Sequence, residues 1–88
     1  MAGQTTLDAI VRAELAIKIM NQARGLVSER VAAIEANDPA GAEALRSKRR
    51  ELLAVQSRIR VGDPVQIEAV ITEWGPQVKD AVSFWREL

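Results

Sequence analysis

The 88-residue chain has no cysteine, no histidine and no tyrosine, and only three aromatic side chains. Without cysteine there is no disulfide framework, no thiolate nucleophile and no zinc cluster. Without histidine the commonest metal ligand and the best proton carrier at neutral pH are both missing. What remains for chemistry is carboxylates, Lys, Arg and hydroxyls. No phosphate loop, metal-ligand cluster or nucleophile–base pair stands out among them, so neither cofactor nor metal is expected. Long hydrophobic runs are also absent, and none approaches the roughly 18–20 residues of a membrane span. Met1-Ala2-Gly3-Gln4-Thr5-Thr6 has neither the basic start nor the apolar core of a signal peptide. The expectation is a cytoplasmic protein with no membrane partner.

What is present is helix punctuation. Asp38-Pro39 and Asp63-Pro64 divide the chain into three segments, each with the apolar spacing of an amphipathic helix. Asp accepts hydrogen bonds from the free N–H groups at a helix start. Proline fits the first turn, where its missing N–H leaves no bond unmade. These marks predict helices over about 7–36, 39–61 and 64–88, in one all-α domain covering residues 1–88. Short connections make consecutive helices antiparallel. The expected fold is therefore an antiparallel helical hairpin plus a third helix, a coiled-coil-like three-helix bundle.

In the first segment Ile10, Ala13, Ile17, Met20, Val27, Val31 and Ile34 recur at three- and four-residue steps, which stacks them on one face. Ala9, Ala16 and Ala23 widen this stripe on one side, Ile19, Leu26 and Ala33 on the other. So broad a stripe predicts more than one neighbour. Thr5 or Thr6 can cap the segment, and Gly25 reads as a point of close packing or bending. The second segment shows Leu45, Leu52, Val55 and Ile59, with Gly62 as its stop. The third repeats through Ile67, Ile71, Trp74, Val78, Ala81, Trp85 and Leu88. Gly75-Pro76 interrupts it, because proline removes a helical hydrogen bond and strains the preceding turn. The unbroken phase argues for a kink there, and glycine before proline argues for a stop.

Net charge is zero but unevenly spread. Residues 39–62 carry six cations against two carboxylates, whereas residues 63–88 carry five carboxylates against two cations. Arg46, Arg49, Arg50 and Arg60 cluster on one side of the second helix, away from its apolar face, with Leu53 in their midst. Three readings stay open. The favoured one is neutralisation by carboxylates of the neighbouring helices. Contact with nucleic-acid phosphate and contact with an acidic protein partner are the alternatives. A zero net charge and the lack of aromatics among these arginines weigh against nucleic acid.

The aromatics Trp74, Phe84 and Trp85 all fall in the last 15 positions. Trp74 and Trp85 share the repeating face and are expected in the core. Phe84 lies one step off it, and Leu88 follows. Aromatic clusters anchor interfaces disproportionately, which makes Trp74, Phe84, Trp85 and Leu88 candidate interface residues, Phe84 and Trp85 foremost.

Two cations, Arg24 and Lys48, stand where the stripes call for apolar residues. Chains that grip a dianionic metabolite between arginines on several helices, the all-helical chorismate mutases, are similar to this one in size and helix content. None of that family's site residues maps onto this sequence, and a small anion-binding enzyme is a remote alternative. The main expectation is non-catalytic: a self-associating helical protein, an assembly factor, adaptor or inhibitor, that works through protein–protein contact. Small cofactor-free chains of this kind are common among bacterial accessory proteins. A small domain buries only about 60–65% of the surface its unfolded chain exposes, which makes a homo-oligomer, a homodimer first, a natural expectation.

Overall fold

A computed structural model describes residues 6–88. Four helices follow one another: α1 (Leu7–Ile34), α2 (Pro39–Ser57), α3 (Pro64–Lys79) and α4 (Ala81–Glu87), with no strand among the described residues. α1 packs against both α2 and α3, and α4 folds on from α3. The result is a helical bundle measuring 55 × 21 × 16 Å, with α1 as its spine.

Local chemistry sets the boundaries. Thr6 Oγ1 accepts from Ala9 N at 3.1 Å; Thr5, the other candidate cap, lies outside the described residues. Asp38 Oδ1 accepts from Gly41 N at 2.9 Å, and Asp63 Oδ1 from Gln66 N at 3.2 Å, with Pro39 and Pro64 in the first turns. A Cβ on Gly41 would lie 2.2 Å from Asp38 Oδ2, so the glycine is what lets the carboxylate fold over its own helix start.

Two expected bounds change, and one of the two readings at Gly75-Pro76 falls. The second helix stops at Ser57, four residues before Val61. Ser57 Oγ donates to Ala54 O, Arg58 N to Val55 O and Ile59 N to Gln56 O, a tightened last turn that swings Ile59 into the core. The third helix does not stop at Gly75. It runs through Pro76 to Lys79, where Gln77 Nε2 donates to Glu73 O at 2.8 Å beside the bond that proline removes. The break comes at Asp80, whose backbone is extended and whose carboxylate accepts from Val82 N at 3.1 Å and Ser83 Oγ at 2.8 Å, starting α4.

The buried face of α1 is also turned from the expected one. Ala13, Ala16, Met20, Ala23, Val27 and Val31 are buried, whereas Ile10 and Ile17 are more than a third exposed. α1 must meet two helices, and the line between them runs along the alanines, whose small side chains let both backbones approach. Ile10 and Ile17 lie on the same flank as Arg24, at seven-residue steps, and α2 has ended before it reaches them.

Candidate interaction surfaces

The α1–α2 seam is fixed by a polar layer within an apolar stripe. Arg24 Nη1 donates to Gln56 Oε1 at 2.7 Å and to Asn21 Oδ1 at 3.1 Å, and Gln56 Nε2 donates to Asn21 Oδ1 at 3.1 Å. The three side chains close a triangle at one level of the hairpin. A polar group at a single core step favours the register in which its partners meet. Lys48, the other stripe-breaking cation, lies 3.6 Å from Glu51 on its own helix. Arg24 and Lys48 thus hold separate partners and do not converge on one cavity.

The α1–α3 seam carries a second lock, which sequence reasoning missed. Arg12 forks onto Glu68, its Nε and Nη2 each meeting one carboxylate oxygen, the latter at 2.7 Å. The hydrogen bond from Arg12, reinforced by its charge, holds the Glu68 carboxyl below the usual glutamate value. Residues 56 positions apart give no sequence signal for such a pair.

The arginine cluster of α2 is largely engaged within the chain. Arg46 pairs with Glu35 at 2.6 Å and Glu43 at 3.4 Å, and Arg50 with Glu43 at 3.3 Å. The hydrogen bond from Arg50 is the main reason the Glu43 carboxyl titrates below its ordinary value. Arg49 reaches across to Ser28 Oγ at 3.0 Å and meets no carboxylate among the described residues. Arg60 caps the turn after α2 through Ser57 O and Ile59 O, away from the other three. Leu53 stays nearly half exposed among them.

At the aromatic end the roles of the three rings are exchanged. Phe84 is fully buried and is among the largest side chains of the core, so the contact expected of it is made inside the chain. Trp74 and Trp85 are half-buried and flank it, with ring centroids at 6.3 Å and 5.1 Å, the latter edge-on. The break at Asp80 resets the helical phase, which turns Phe84 inward and Ala81 outward. Arg30 stands over Trp85 at 5.4 Å, a cation on a ring face. Leu88 packs half-buried against the same core.

The remaining surface is the side of α1 that faces away from both partners. Leu7, Val11 and Leu15 are exposed there by 77%, 52% and 40%. Beside it a furrow follows α1 and the α3–α4 arm. Its lower part, of about 440 Å³, is lined by Leu15, Ile19, Ile71 and Val78, with Lys18 and Lys79 also at its walls. Gln22, Gly25, Leu26 and Glu29 continue it upward, and it ends beside Ala33 and Trp85. Gly25 has open space where a Cβ would be, so within this chain it is not a point of close packing. Neither Arg24 nor Lys48 lines any part of the furrow. Among the described residues no group of acidic side chains is arranged to hold a metal ion, and no helix is long and apolar enough to cross a membrane. No family model, no curated protein and no solved structure matches the chain.

Proposed function

We propose that this protein works by protein–protein contact, as a non-catalytic assembly factor or adaptor that also associates with itself. The carrying observation is the outward face of α1. Leu7, Val11 and Leu15 follow at four-residue steps on one side of α1, and no other helix among the described residues covers them. Isolated exposed leucines are ordinary on a protein surface, but aliphatic side chains aligned along a helix form a face that another helix can take.

The nucleic-acid reading is weaker. Arg46 and Arg50 already have carboxylates within ion-pair distance, and Arg60 serves its own turn. That leaves Arg49 and Arg60 without an acidic neighbour among the described residues, too few charges for a phosphate track. The test is affinity capture with purified protein, scored for protein and nucleic acid, wild type against the Val11→Glu/Leu15→Glu double variant. Protein partners retained by wild type and lost by the variant are the expected result. Capture that is equal in both, or that consists of nucleic acid and weakens steeply with salt, overturns the reading.

A further inference from the structure

The outward face of α1 has a property beyond exposure. Val11, Leu15, Lys18, Gln22, Gly25, Glu29, Ala32 and Ala36 succeed one another in strict four-three alternation. All eight are exposed, seven within α1 and Ala36 in the turn just after it. This spacing keeps a seam along one side of a helix, as in helices that pack lengthwise. It is distinct from the buried seam of Ala13, Ala16, Met20, Ala23 and Val27.

The outer seam is also symmetric about the midpoint between Ala23 and Arg24. Reversing it matches Val11 with Ala36, Leu15 with Ala32, Lys18 with Glu29 and Gln22 with Gly25. Each match complements the other in bulk or charge. The long aliphatic side chains meet alanines, the amide meets the glycine that leaves open space, and the cation meets the carboxylate. Among the described residues Lys18 and Glu29 make no hydrogen bond or ion pair of their own. A parallel pairing of the same face would set Lys18 against Lys18 and Glu29 against Glu29, so charge selects the antiparallel arrangement.

We propose that a second copy of this chain seats on this face, the two α1 helices antiparallel, with Lys18 of each protomer against Glu29 of the other. The twofold axis passes between Ala23 and Arg24, and each contact therefore occurs twice, as in any self-complementary dimer. The inference rests on the reading that the protein self-associates, and adds to it the surface, the direction and the register.

The test is sedimentation equilibrium over a concentration series with wild type, Lys18→Glu, Glu29→Lys and the double charge swap. Wild type should dimerise. Each single reversal turns two attractions into two repulsions and should weaken the dimer about tenfold. The double swap should return it to within about threefold of wild type. Gly25→Trp, at a position open in the monomer, should abolish the dimer while leaving the helical circular dichroism intact. A wild type that stays monomeric at every concentration overturns the proposal together with self-association. A dimer indifferent to the charge reversals, or one that the double swap does not restore, overturns this register alone. Protein capture by the Glu29→Lys variant, which loses this register but keeps Val11 and Leu15, then decides the broader reading separately.

Discussion

The two long faces of α1 make the instructive comparison. The inner one is built from Ala13, Ala16, Ala23, Met20 and Val27 and is fully occupied by the rest of the chain. The outer one is also rich in small and aliphatic residues, yet it carries Leu7, Val11 and Leu15 in solvent and a glycine with nothing near it. Their difference lies less in composition than in the partners the chain supplies. α2 and α3 approach α1 from two sides, and their meeting line fixes which stripe is buried. Small residues serve opposite ends on the two faces: inside, they permit contact already made; outside, they leave room for contact still to come.

That contrast can be broken or sharpened by substitution. The largest effect belongs to the core that the inner face helps to close. Phe84→Ala should destabilise the fold by about 3–5 kcal/mol in urea unfolding, and Trp85→Ala by clearly less, because Trp85 is only partly buried. Equal losses would mean that the phase reset at Asp80 is absent in solution. Next is the inner seam itself. Ala16 is fully buried, and Ala16→Leu should destabilise by about 1–3 kcal/mol through overpacking. The same test on the outer face should give the opposite sign. Gly25→Ala should stabilise the monomer by about 1 kcal/mol, since an exposed helical glycine gains from a side chain that meets nothing. Were Gly25→Ala destabilising, the outer face would be covered in the folded monomer.

Gly41→Ala offers a control of similar size, with a reason of its own. The added Cβ would collide with the Asp38 carboxylate and break the α2 cap, for a loss of about 1 kcal/mol. The smallest effect is the pH response. Glu68, Glu43 and Asp80 all titrate below their ordinary values in the folded chain, chiefly through hydrogen bonds from Arg12, Arg50 and Ser83. A carboxyl with a lowered folded value contributes stability above its unfolded value and loses it as pH falls through the folded one. The melting temperature should therefore decline as pH drops below the ordinary glutamate value of 4.5 and level off only beneath the folded values. Glu68→Gln should flatten that decline in part, and an unchanged acid limb would show that the Arg12 fork does not form in solution.

How much of this was legible beforehand depends on how local each signal is. Asp38-Pro39 and Asp63-Pro64 mark helix starts because the cap and the residues it satisfies are neighbours in sequence. Asp80 works by the same chemistry, with Ser83 three residues on as its readable partner. It was masked by an apolar repeat that continues in phase from Val78 to Trp85 and by the louder Gly75-Pro76 pair. The arginine cluster was visible as charge, but whether Arg46 meets Glu35 or a partner depends on where the hairpin turn lays one helix against the other. Arg12–Glu68 and the Asn21–Arg24–Gln56 triangle were out of reach for the same reason.

The amino-acid order alone settled the helical class, the antiparallel hairpin and the caps, because those follow from hydrogen bonds and spacing within a few residues. Packing decided which stripe of α1 is buried, which ring fills the core and which cations remain without a carboxylate. Those choices depend on where three helices meet, and a periodic pattern wide enough for several neighbours cannot by itself select among its own faces.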